Sequence, residues 1–178
     1  MLSSNDGRPE RMYRNNRHID PSFDENENLY NRFKQNYFKD GKFLPEGIRF
    51  PDWSVNREKY SEPEDVLIPN YSDWGIIEFK VGAIPQSLES LGDVKFDFKV
   101  EHDPCDDNYS HSEVRTYKNG VHEKRIDLPK LVKKEFRQRL SEKIIVIKQP
   151  TTLEQGHFID NKNDLLGEKA AQERSIDK

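Results

Sequence analysis

The densest concentration of chemically useful side chains runs from Val100 to Tyr117, VEHDPCDDNYSHSEVRTY. His102, Asp103, Asp106, Asp107, Asn108, Tyr109, His111 and Glu113 fall there, between two runs that read as strands. Residues two apart in a strand share a face and lie roughly 6.5–7 Å apart along it. His111 and Glu113 therefore project together. If the preceding strand pairs antiparallel across the DPCDDN loop, His102 arrives at the same end of the sheet. Two imidazoles and a carboxylate make a donor set for Zn²⁺ or a related divalent transition metal, with an open position for water. Such a water could attack a phosphoester or an amide. Without a metal, the same groups could act as general acid and base, because an unperturbed histidine titrates near pH 6.5.

The competing reading of this stretch is structural. Asp103-Pro104 and Asp107-Asn108 are turn formers, His102 caps a strand by bonding the loop backbone, and Tyr109 is a core aromatic. Register decides between the two, since a slip of one residue sends a side chain to the opposite face. On the structural reading the loop, with Asn108 and Tyr109, is a binding surface. Cys105 sits in the same loop, but Asp103, Asp106 and Asp107 around it would raise its thiol pKa and weaken it as a nucleophile.

Three other groups carry charge in a pattern. Ser54, Asn56, Arg57, Lys59 and Tyr60 could line a pocket with Arg57 as an anion clamp. The alternative is that Arg57 pairs with Glu58 or Glu62 while Asn56 and Ser61 make local bonds. Arg8, Arg11, Arg14 and Arg17 recur every third position, followed by Asp20, Asp24, Glu25 and Glu27. They read as a basic arm for phosphates or as a self-neutralising tail. Lys130, Lys133, Lys134, Arg137 and Arg139 could contact phosphates, although no aromatic platform for bases accompanies them. No Gly-rich phosphate loop, nucleophile elbow or H-E-x-x-H is present, which removes the common enzymes of those types.

The elements that must position these residues follow from periodicity. Val94, Phe96, Phe98 and Val100 alternate with Lys95, Asp97, Lys99 and Glu101, a strand with one wet face running to His102. A partner strand is expected over 110–117. Asn119-Gly120 then signals a type I′ hairpin with a return strand over 121–126. Ile77, Phe79 and Val81 mark a strand near 76–81. Leu128, Leu131, Val132, Phe136 and Leu140 recur at helical spacing, which predicts a helix over 128–142, capped by Asp127 with Pro129 in its first turn. IIVI at 144–147 is apolar on both faces and reads as a central strand over 143–148. Short helices are expected at 29–38, at 63–67 behind an S-x-x-E capping box at Ser61–Glu64, and at 83–91 closed by Gly92.

These elements make one α+β domain over residues 29–149. A mainly antiparallel sheet carries the C-terminal amphipathic helix on one face. Residues 1–28 are polar and poor in large apolar side chains, as is the stretch 150–178, and both read as disordered tails. With 35% charged residues but a net charge of only −4, the molecule has no overall pull toward nucleic acid. One cysteine excludes an intramolecular disulfide and a CxxC zinc site. The N-terminus lacks the apolar core of a signal peptide, and no apolar run approaches the roughly 20 residues of a membrane span. A reducing, cytoplasmic setting is expected.

Two stretches are familiar. DWSVNREKYSEPEDVL, residues 52–67, resembles an LSVNR-x-KYS-x-PEDVL stretch, and HDPCDDNYSHSEV, residues 102–114, resembles an HDP-x-x-DNY-x-H-x-EV stretch. Both belong to an uncharacterised family of small bacterial proteins, and the resemblance covers about residues 43–148. Trp53 stands where that family has an aliphatic residue. The resemblance implies a bacterial source and a recurring domain, and it supplies no activity. The favoured expectation is a non-enzymatic interaction or accessory protein acting through another protein. The alternative is a metal-dependent hydrolase or nuclease-like enzyme using His102, His111 and Glu113.

Overall fold

The computed structural model describes residues 7–90 and 94–151. Its centre is a seven-stranded sheet in which every pairing is antiparallel. In chain order its strands are β1 (Asn28–Phe33), β4 (Asp52–Arg57), β5 (Gly75–Lys80), β6 (Ser87–Ser90), β7 (Val94–His102), β8 (His111–Lys118) and β9 (Ile145–Lys148). Across the sheet the order is β6-β7-β8-β4-β1-β5-β9. A separate two-stranded ribbon joins β2 (Phe38–Lys39) to β3 (Lys42–Phe43). The one α-helix among the described residues, α1 (Lys130–Ser141), precedes β9. No helix among them is long and apolar enough to cross a membrane.

Alternation builds the main core. Leu29 and Phe33 of β1, Trp53 and Val55 of β4, Ile77 and Phe79 of β5, Phe96 and Phe98 of β7 and Val114 of β8 are buried on one face. Val132, Phe136 and Leu140 of α1 cover that face. The Phe136 ring lies 4.3 Å from Phe98 and 5.3 Å from Phe50 between centroids, tilted and edge-on, within the range aromatic pairs favour. The other face holds a smaller cluster of Tyr30, Val66 and Ile76.

The expected α+β architecture stands, with local corrections. Residues 29–38 begin as β1, not as a helix. The Leu29–Phe33 spacing suits a helix, but Tyr30 must be buried on the opposite side, which only a strand sandwiched by β4 and β5 provides. Ser87–Ser90 form an edge strand beside β7, not part of a helix, and Gly92 lies outside the described residues. The Asn119-Gly120 turn forms, with both residues at positive φ and Lys118 facing Val121. No return strand follows, because β7 and β4 already occupy both edges of β8.

At the start of α1, Pro129 stands at the N-cap and no side chain caps it, so Asp127 does not play that part. Leu131 faces solvent, 70% exposed. IIVI supplies β9 at the sheet edge, with Ile145 57% exposed, so it is not a central strand. The capping box moves one residue on: the Glu62 N–H donates to Asp65 Oδ2 at 2.8 Å, and a 3-10 turn, Pro63–Val66, follows.

The largest correction concerns the N-terminus. Residues 8–27 are laid along the molecule as an arm. The Gly82 and Val81 amides donate to the Glu25 and Glu27 carbonyls, and Met12 is buried. The arm has few apolar side chains, and its order comes from charges and main-chain bonds to residues far away in sequence. The expected C-terminal tail lies outside the described residues from residue 152 onward.

Candidate functional site

Register settles the histidines. His102 pairs with Ser112 and Val100 with Val114, while Glu101 pairs with Glu113. Cross-strand partners share a face. His102 therefore lies on the core face with Ser112 and Val114, and His111 and Glu113 lie on the opposite face. The expected convergence of His102, His111 and Glu113 does not occur. Among the described residues no group of three or more His, Cys, Asp or Glu stands where it could hold a metal ion.

His102 has both ring nitrogens engaged. The Asp20 N–H donates to Nδ1 at 2.9 Å, so Nδ1 must be the bare nitrogen. Nε2 then carries the proton and donates to the Tyr109 carbonyl at 2.6 Å. Burial pushes the His102 pKa below its ordinary value, and nearby Arg57 adds to the effect. The ring is stacked against Tyr60 and met edge-on by Tyr109. A neutral, doubly bonded, enclosed imidazole is a structural joint.

On the opposite face, His111 Nδ1–H donates to the Asp103 carbonyl at 2.6 Å. Beside it, Arg115 gathers Glu101, Asp103 and Glu113 at 2.7, 2.6 and 2.9 Å. The Tyr117 hydroxyl also donates to Glu101. Burial and the Glu101 carboxylate push the Tyr117 pKa up to about 12. Glu113 is thus the partner of an arginine.

The remaining expected residues meet on the core face, around the arm. Arg57 is fully buried. Its Nε and Nη2 donate to the two oxygens of Glu27 at 2.8 Å each, Nη1 to the Asp20 carbonyl at 2.9 Å, and Nη2 to the Ser22 carbonyl at 2.6 Å. Its guanidinium also lies 3.8 Å from the Phe23 ring centroid. The anion it clamps is Glu27 of the arm. The local alternatives, Glu58 and Glu62, are not its partners. Ser61 does bond locally, its Oγ–H donating to the Arg57 carbonyl at 2.8 Å.

Asp20 is held by Lys59 Nζ at 2.7 Å and the Tyr60 hydroxyl at 2.6 Å. The Lys59 bond leads in holding its carboxyl far below the usual carboxylate range. Tyr109 is buried, with its N–H on the Met12 carbonyl, its hydroxyl on the His18 carbonyl at 2.7 Å, and Arg17 3.7 Å from its ring centroid. Asn108 braces the cleft from behind: its Nδ2 donates to Asn56 Oδ1 at 2.8 Å, and the single Ser110 hydroxyl proton goes to Asn108 Oδ1 at 2.7 Å, with Asn56 Oδ1 3.0 Å away.

The far end of the arm is gripped the same way. Arg11 forks onto Asp65 with two bonds of 2.9 Å. The Arg14 N–H donates to the Asp106 carbonyl at 2.9 Å, and Arg8 pairs with the Asp107 carboxylate at 2.7 Å. Cys105 is exposed in the tight turn that presents these groups, and burial and Asp107 push its thiol up. Sequence reasoning missed Asp20, Glu27 and Asp65. The available signal was charge order: a basic then acidic arm mirrors acidic groups near 106 and basic groups near 57.

The two familiar stretches, 52–67 and 102–114, lie side by side where β4 pairs with β8, and together they make the cleft that holds the arm. No protein-family model, curated protein or solved structure matches the chain.

Proposed function

We propose that this chain is a non-enzymatic interaction protein, acting in a bacterial, cytoplasmic setting through another polypeptide. One observation carries the reading. Most residues of both familiar stretches that could do chemistry are spent on holding the arm, while His111 and Glu113 bond Asp103 and Arg115 on the other face. His102, Tyr109, Arg57 and Asp106 bond main-chain atoms of the arm, and Asp65, Lys59 and Tyr60 bond its charged side chains. Alternating main-chain and side-chain contacts are how proteins recognise extended segments. A catalytic site needs a reacting group left accessible to substrate, whereas His102 and Arg57 are enclosed and fully bonded.

The test is co-purification from the native source under low salt, with the tagged chain and its His111→Ala/Glu113→Ala variant in parallel. The expected result is the same stoichiometric protein partner with both. Recovery of no partner, or a hydrolytic activity lost in the variant, overturns the reading.

A further inference from the structure

The arm is a separable occupant of the cleft. Residues 8–27 contribute no strand to the sheet, which starts at Asn28. The cleft walls are held by pairings that do not involve the arm, β4 with β8 and β8 with β7. Met12 is the only fully buried apolar side chain of the arm. Phe23 packs half-buried on Arg57 and the main core and Arg17 lies on the Tyr109 ring, and the rest of the grip is hydrogen bonds and ion pairs that water can replace on both sides.

The grip is also selective. It requires an arginine to fork onto Asp65, a second to lie on Tyr109, and a carboxylate to reach Lys59 and Tyr60. In this chain Arg11, Arg17 and Asp20 meet those requirements at separations of six and three residues. The arm of another copy has that chemistry by identity. Asp24–Glu27 is a turn, exposed except at Glu27, closed by the Glu27 N–H on the Asp24 carbonyl at 3.0 Å and the Asn26 N–H on Asp24 Oδ1 at 2.7 Å. Within this turn, the Glu25 and Glu27 carbonyls are tied to Gly82 and Val81 of the same molecule.

We propose that the cleft is a polypeptide-binding site that also takes its segment in trans, and that the segment is the arm of a second copy of this chain. The inference rests on the reading of the protein as an interaction module and names the segment its cleft accepts. A change of chain direction at Phe23–Asp24, ahead of that tie, frees residues 8–22 to enter a neighbour's cleft. A reciprocal exchange reproduces every contact twice about a two-fold axis. Arg57 then holds its own Glu27 with two bonds and the neighbour's Asp20 and Ser22 carbonyls with two more. The closed arm has the advantage of tethering, so exchange gains as protein concentration rises.

The test mixes two full-length variants. One has a weakened arm, Arg11→Ala/Asp20→Ala, with its cleft intact. The other has a weakened cleft, Lys59→Ala/Tyr60→Phe/Tyr109→Phe, with its arm intact. Native mass spectrometry of the mixture is expected to show a 1:1 heterodimer about tenfold more abundant than any dimer of either variant alone. No heterodimer from two variants with native circular dichroism overturns the proposal. Should either variant fail to fold, a labelled peptide of residues 7–27 is titrated into the unaltered chain. Saturable binding that shifts the chain's own dimer back to monomer supports exchange, and absence of binding overturns it. Peptide binding to a chain that is monomeric at every concentration assigns the cleft to another protein's segment and overturns the second-copy assignment. Neither failure touches the co-purification result, which tests the broader reading separately.

Discussion

Arg57 brings a guanidinium into a site closed to solvent, and Glu27, Asp20 and Ser22 of the arm answer it. The planar fork matches the Glu27 carboxylate, which a lysine could not do. Removing one member of such a buried pair leaves the other charge unpaired in a low-dielectric site. Arg57→Met should therefore destabilise the fold by about 3–5 kcal/mol, read as a lower urea midpoint. A loss indistinguishable from zero would show that Glu27 and the arm leave the cleft freely. At this scale the sequence singled out the right residues for the wrong partners. Arg57, Tyr109 and His102 stand in the cleft with Asn108 behind it, but the arm partners of those three lie between 30 and 97 positions away. Spacing arguments reach only neighbours on one element, so Asp20 and Glu27 were illegible as partners.

Strands were legible where one face is wet and the other dry. β7 alternates cleanly and spans the residues expected, and β8 begins one residue late. Where both faces carry apolar side chains the pattern loses its meaning: β1 reads as a helix, and β9, a strand as expected, reads as central although it lies at the edge. β9 illustrates the physics of an edge. Ile144 and Val146 pack on the core while Ile145 faces solvent.

Its close approach to β5 depends on Gly75. A Cβ there would lie 2.8 Å from the Lys148 carbonyl oxygen of β9 and would overlap the Phe33 ring. Overfilling a packed site costs about 1–3 kcal/mol. Gly75→Ala should lose stability by that amount in chemical denaturation and raise hydrogen exchange of β9 amides ahead of those of β7. An unchanged midpoint would mean that β9 shifts outward at no cost.

For the whole molecule, fold class came from periodicity, and the closure of the cleft did not. Composition marks residues 8–27 as a tail because it counts apolar side chains, whereas this arm is ordered by charge pairing and main-chain bonds. The same bonding makes its closure sensitive to acid. His102 must stay unprotonated at Nδ1 to accept the Asp20 amide. Tyr60, Tyr109, Arg57, Asp20 and Glu27 surround the ring. Its folded pKa lies below the ordinary 6.5, so its contribution to closure is full above 6.5 and fades as pH falls below that. Asp20 has the same sign in a lower window. Its contribution is full above its ordinary 3.8 and fades only below that. Between 6.5 and 3.8, of these two groups only the His102 contribution changes with pH.

Hydrogen exchange of the Arg14 and Asp20 amides, followed from about pH 7.5 to about pH 5 and corrected for intrinsic rates, tests the closed arm most directly. Both amides should be protected at the higher pH. At the lower pH they should lose part of that protection while β7 and β8 amides keep theirs. Arg14 and Asp20 exchanging at unprotected rates at the higher pH, or losing protection only together with the sheet, would contradict the account.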